Sequence, residues 1–227
     1  EGMAGPPRAY AYPGRSPDGQ RVALDTRDQK NDIWIWDFSR QVLTRLTTAP
    51  GPDTDPVWTP DGRRIAFSSN NLAAVGAPSL FWQPADGTGT AEQLTTGVQT
   101  QIPSAFTPDG KSLVFRDTGP GTGRDVKVMA IEGDRTSKAL IHTPFDEQNA
   151  ELSPDGRWIA YQSNQSGQDE IHVRPFPAVD SGHWQISTEG GSRPLWARTG
   201  PEWLFGGLVG RIISVPVQAG PAVGSAN

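Results

Sequence analysis

Apolar residues along this 227-residue chain come in short runs broken by turns, with no useful stretch at helical spacing. Five runs are apolar almost throughout: Arg21-Val22-Ala23-Leu24, Ile65-Ala66-Phe67, Leu113-Val114-Phe115, Trp158-Ile159-Ala160-Tyr161 and Trp203-Leu204-Phe205. Such runs predict strands covered on both faces. The last four follow a shorter strand candidate: Pro56-Val57-Trp58, Pro103 to Phe106, Ala150 to Leu152 and Pro194-Leu195-Trp196. A third strand follows each run, over Ile33–Trp36, Leu80–Trp82, Val126–Met129, Ile171–Val173 and Ile212–Val217. A fourth alternates in polarity (Leu43–Thr47, Glu92–Thr95, Trp184–Ser187), as suits a strand half open to water.

One turn recurs between the first and second strands. Ser-Pro-Asp-Gly stands at 16–19 and 153–156, and Thr-Pro-Asp-Gly at 59–62 and 107–110. Ala197-Arg198-Thr199-Gly200 is a decayed fifth copy, and the spacings are 43, 48, 46 and 44 residues. Pro presets φ near −65°, Asp suits the next position, and Gly accepts the left-handed conformation after it. The Asp residues are therefore turn formers. Four strands per unit of roughly 45 residues is the signature of a β-propeller blade. The predicted fold is all-β, with repeats at about 10–48, 55–96, 102–142, 150–188 and 194–218. Residues 1–9 read as an extended or disordered segment and 219–227 as a flexible tail.

The stretch Pro56 to Asn70 (PVWTPDGRRIAFSSN preceded by Asp55) resembles the TolB-type, Trp-Asp-repeat-like propellers of bacteria. Three further segments are Asn31 to Asp37, Phe81 to Gly87 and Val173 to Pro177. They resemble the propeller found C-terminal to the kinase domain of bacterial eukaryotic-like Ser/Thr protein kinases. That resemblance implies a sensor or scaffold role and a periplasmic or extracytoplasmic location. No kinase Gly-rich loop, His-Arg-Asp or Asp-Phe-Gly stands in the chain, so no kinase activity carries over.

TolB-type propellers imply six blades, whereas four complete units and a fifth of three strands are legible here. An uncovered blade face with about four large apolar side chains forgoes roughly 6–12 kcal/mol. That equals a whole domain's net stability. The expectation is a segment of a six-bladed or open propeller. Its open faces would be covered by parent-chain segments, by tightening into a five-bladed ring, or by self-association through blade edges.

Composition narrows the chemistry. There is no Cys, which excludes disulfides, thiol nucleophiles and Cys-ligated metals. Net charge is −5 with no basic stripe, against a nucleic-acid partner. No apolar run approaches the roughly 20 residues of a membrane-spanning helix, and Glu1 to Pro7 lacks the pattern of a signal peptide. Gly110-Lys111-Ser112 mimics the end of a P-loop, but Ala105 stands where the motif needs Gly. Gly119 to Gly123 is followed by Arg124 where a dinucleotide fingerprint needs its third Gly. No catalytic residue, cofactor or metal is assigned.

If the first strand is innermost, the loops opposite the Pro-Asp-Gly turns collect polar residues. They include Arg27, Asp28, Asp32, Asp53, Asp55, Asn70, Asn71, Gln99 and Gln101. Arg116, Asp117, Arg124, Glu147, Gln148, Asn149, Asn164, Gln165, Asp169 and Arg193 follow. Asp53, Asp55, Asn149 and Arg193 are the candidate ligand-binding residues, for a small ligand, sugar, peptide or protein. His142, aligned with Thr48, Thr96 and Thr188, joins them as a candidate ligand or base. His172 aligns with Trp34, Phe81 and Lys127 and reads as structural; His183 reads as solvent-facing. The leading expectation is a non-catalytic recognition module. The alternatives are a hydrolase or lyase with its site in the central funnel, and a structural repeat meeting partners through its rim or open edges.

Overall fold

The computed structural model describes residues 9–27, 30–70, 77–119, 123–197, 202–207 and 211–216. The N-terminal segment to residue 8, the tail from 217, Asp28 and Asn71 lie outside the described residues. The fold is an all-β propeller built from antiparallel blades whose strands pair in chain order. The first blade holds β1 (Tyr10–Arg15), β2 (Arg21–Thr26), β3 (Ile33–Asp37) and β4 (Val42–Arg45). The second holds β5 (Asp53–Trp58), β6 (Arg64–Ser69), β7 (Ser79–Pro84) and β8 (Glu92–Gln93). The third comprises β9 (Gln101–Phe106), β10 (Ser112–Gly119), β11 (Gly123–Ala130) and β12 (Ser137–Ile141). The fourth comprises β13 (Glu147–Leu152), β14 (Trp158–Ser163), β15 (Glu170–Pro175) and β16 (Trp184–Gln185). The fifth has three strands among the described residues: β17 (Ser192–Trp196), β18 (Glu202–Gly206) and β19 (Ile212–Pro216). The only helical element among them is a 3₁₀ turn, Val179–Ser181, and no helix is long and apolar enough to cross a membrane.

Two compact units are present, Glu1–Leu113 with Ala130–Thr136, and Val114–Met129 with Ser137–Asn227. In the first unit, Ala23, Ile33, Ile35 and Leu46 pack on Trp58, Ile65, Phe67, Phe81 and Ala85 of the next blade. In the second, Ala160, Ile171, Val173 and Ile186 pack on Trp196, Phe205 and Val215. The second strands of the first, second and fourth blades, β2, β6 and β14, are buried along nearly their whole length because both blade faces are covered, as their apolar runs predict.

The repeated turn closes through its side chains. Ser16, Thr59, Thr107 and Ser153 each donate a hydroxyl hydrogen bond of 2.6 Å to the Asp two residues on. The same carboxylate oxygens accept backbone N–H groups from Gln20, Arg63, Lys111 and Arg157. Gly19, Gly62, Gly110 and Gly156 take the left-handed conformation that ends the turn, with φ between 67° and 72°. The hydroxyl, then the backbone N–H, holds Asp18, Asp61 and Asp109 below the usual carboxylate range. These carboxylates are used up in turn formation.

Candidate functional site

The first strands β1, β5, β13 and β17 each carry a bulge at one position, and a non-glycine residue takes left-handed backbone there. These residues are Tyr12 (φ 46°), Asp55 (57°), Asn149 (52°) and Arg193 (52°). The pairing registers shift at the same place, between Ala11 and Gly14, Thr54 and Val57, Gln148 and Glu151, and Ser192 and Leu195. Pro103 stands at this position in β9, where its ring forbids positive φ. Asp55, Asn149 and Arg193 were expected in inter-blade loops; they belong to strands instead. Polar residues and a bulge hide the two-residue alternation that would have revealed a strand. Tyr12 went unrecognised because its blade begins without the Pro-x-Trp signal.

In the first unit, Asp55 donates its backbone N–H to Oδ2 of Asp25 at 3.4 Å. The same oxygen lies 3.1 Å from Nη2 of Arg27, whose guanidinium stands 4.9 Å from the Tyr12 ring centroid. Asp25 is fully buried, and its Oδ1 has no hydrogen-bond partner. Burial pushes the Asp25 carboxyl up, Arg27 pulls it down and Asp55 raises it again. A buried acid, a second carboxylate, a partly exposed guanidinium and an aromatic ring thus share one corner. Sequence reasoning missed Asp25, which lies in an apolar run.

In the second unit, Gln162 does the equivalent work. Its Oε1 accepts the side-chain N–H of Asn149 at 2.8 Å and the backbone N–H of Arg193 at 3.4 Å. The Arg193 side chain is exposed. Asn149 and Arg193 are therefore brought together through a buried residue absent from the sequence candidates. Arg116 Nη1 donates to Gln148 Oε1 at 2.7 Å on the strand beside them.

His142 has a different neighbour. Its Nδ1 lies 2.9 Å from Oδ1 of the buried Asp125, and the imidazole is more than half exposed. Its expected alignment with Thr48, Thr96 and Thr188 is off by one residue. A register shift between the Val126 and Lys127 pairings places His142 opposite Asp125, in the row of Thr47, Thr95 and Ser187.

That row is a set of fasteners. Thr47, Thr95 and Ser187 accept the backbone N–H of Ile33, Leu80 and Ile171 at 2.9, 3.0 and 2.8 Å. Thr95 passes its own proton to Gln101 at the head of the next first strand, and Ser187 donates to Glu170. Thr47 and Ser69 bond the Asp53 side chain, and Thr143 donates to Glu147. Asp53 and Glu147 are each 1 % exposed, and burial pushes both carboxyls up despite these hydroxyls. Asp53, Gln101 and Glu147 accordingly sit inside blade junctions, not on an open face.

A family model described as the TolB beta propeller domain matches residues 5–199. The chain belongs to this family. Among relatives, it is 26 % identical over 200 residues to the uncharacterized peptidase YuxL of Bacillus subtilis, covering 70 % of this chain and 30 % of that one. It is 28 % identical over 170 residues to the uncharacterized protein Atu1656 of Agrobacterium fabrum, covering 72 % and 54 %. The chain thus spans about a third to a half of the length of these curated relatives. The solved structure of putative TolB from Agrobacterium tumefaciens superposes with a TM-score of 0.76 at 23 % identity, over 88 % of this chain and 70 % of that one. That likeness establishes fold.

Proposed function

We propose that the chain is a recognition module that binds a ligand or partner protein through its first-strand bulges. The observation that carries this reading is a constant backbone bearing variable chemistry. Left-handed backbone costs a non-glycine residue roughly 1–2 kcal/mol. A purely structural bulge would favour Gly, Asn or Asp, as at Asp55 and Asn149, yet Tyr12 and Arg193 occupy it in two other blades. Strain retained at one position while the side chain changes from blade to blade is the mark of display. Within the first unit Asp55 and Arg27 offer both charges at one corner, so peptides and sugars with polar groups of both kinds fit best there. The peptidase relative makes short peptides the first class to try. The test is a thermal-shift screen of divalent cations, oligosaccharides and short peptides. A shift lost in Asp55→Ala/Arg193→Ala supports the reading, and no shift with any class removes it.

The finer assignment, a sensor or scaffold segment of a bacterial receptor kinase, rests on the sequence resemblance of Asn31–Asp37 and its companions alone. Self-association belongs to the same proposal: β19 lacks a fourth-strand neighbour among the described residues, and Ile212 is 79 % exposed. A strict monomer by light scattering at micromolar concentration would remove it.

One observation favours a second reading, a hydrolase or lyase. His142 with its Nδ1 2.9 Å from the Asp125 carboxylate brings together the imidazole and carboxylate that general-base catalysis uses. Turnover of any peptide or glycoside that survives His142→Ala would exclude it.

A further inference from the structure

Two histidines eleven residues apart meet on one side of the fourth blade. His172 on β15 is fully buried, and its Nδ1 lies 3.1 Å from Nε2 of His183, just ahead of β16. The ring of His183 is exposed, as its sequence position implies, but this nitrogen turns inward. The Gln165 amide stands 3.4 Å from each of the two nitrogens, and the Tyr161 hydroxyl 3.2 Å from His183 Nε2. Arg174 Nε donates to the Tyr161 oxygen at 2.9 Å, leaving the phenol proton directed at His183. Corresponding strand positions hold Trp34, Phe81 and Lys127, so the fold itself does not require imidazole there.

Proton accounting makes the cluster unusual. With the Gln165 amide nitrogen inward, both imidazole nitrogens act as acceptors, and two lone pairs face each other across 3.1 Å. A proton on His172 Nδ1 relieves that contact, but Tyr161, Gln165 and His172 then compete for one lone pair on His183. Turning the amide by 180° sets its oxygen beside both nitrogens, and three donor atoms then stand 3.1–3.4 Å apart. Ligands about 2.0–2.1 Å from a single tetrahedral ion are separated by about this distance.

We propose that His172 Nδ1, His183 Nε2 and the Gln165 amide oxygen bind one divalent first-row transition-metal ion, Cu²⁺ in preference to Zn²⁺, with the Tyr161 hydroxyl beside the remaining position. Metal on Nδ1 places a proton on His172 Nε2, which is buried without a partner. That penalty weakens the site for every metal and leaves Cu²⁺, highest in the Irving–Williams order, the best occupant. Among the described residues no three His, Asp or Glu side chains gather at metal-binding spacing, so the pair depends on Gln165 and Tyr161.

The experiment titrates the full chain with CuCl₂ at pH 7, following electron paramagnetic resonance and thermal melting. One equivalent binds, with hyperfine structure from two imidazole nitrogens and a raised Tm, and ZnCl₂ binds more weakly. His183→Ala and His172→Phe each weaken binding at least tenfold, while His142→Ala leaves it intact. His183 lies at the surface, and Phe is the residue at the corresponding position of the second blade, so both variants keep the fold. No saturable binding at one equivalent, a single-nitrogen spectrum, wild-type affinity in either variant, or loss of binding in His142→Ala overturns the proposal.

Discussion

Trp58 donates its indole N–H to the carbonyl of Gly14 at 2.8 Å, tying the second blade's first strand to that of the first. Trp196 makes the corresponding bond to Glu151 at 3.2 Å. A residue with a side chain serves in one blade and Gly in the other because the first pair is tighter. A Cβ on Gly14 would lie 2.7 Å from the Pro56 carbonyl oxygen. Gly14→Ala therefore forces this junction apart and lowers stability by about 1–3 kcal/mol, read from the urea midpoint. An unchanged midpoint would mean that the two strands separate without cost.

Thr95 both accepts from Leu80 and donates to Gln101. Thr95→Val keeps the shape and removes the acceptor of the Leu80 N–H and a donor to Gln101. The expected loss is about 1–3 kcal/mol, with Thr95→Ser close to wild type. Equal losses in the two variants would assign the effect to packing.

Asp25 gives a pH-dependent signature. Burial raises its folded pKa, so the native state holds the proton more tightly than the unfolded chain. Its stabilising contribution is complete below the unfolded value near 4 and is lost as pH rises through the folded pKa. Asp25→Asn removes that loss. The difference in urea midpoint, variant minus wild type, grows more positive between pH 4 and pH 7; a flat difference sinks the assignment.

His172 acts in the opposite direction. Its folded pKa is lowered to about 4, by burial first and then by His183. The unfolded chain takes up the proton near pH 6.5, so this contribution is full above 6.5 and falls away as pH drops toward 4. One such group accounts for up to about 3 kcal/mol. His172→Phe, measured without metal, should gain on wild type between pH 7 and pH 5, and parallel curves would exclude the effect.

The local code was readable from the chain alone. Pro-Asp-Gly turns at near-constant spacing and apolar second strands specify antiparallel blades, because turn geometry and hydrophobic periodicity are short-range properties. The four full blades and the three strands of the fifth among the described residues follow from the same repeats. What only tertiary structure decided is how polar residues were spent. Asp53 and Asp55 are two residues apart, yet one is shut into a blade junction and the other sits on a strained bulge. Gln162 and Asp25 stand in buried strands and still organise the displayed residues, and His172 meets His183 across strands. No local pattern encodes such meetings, because a polar side chain's role depends on which distant backbone groups reach it and how much water is excluded when they do.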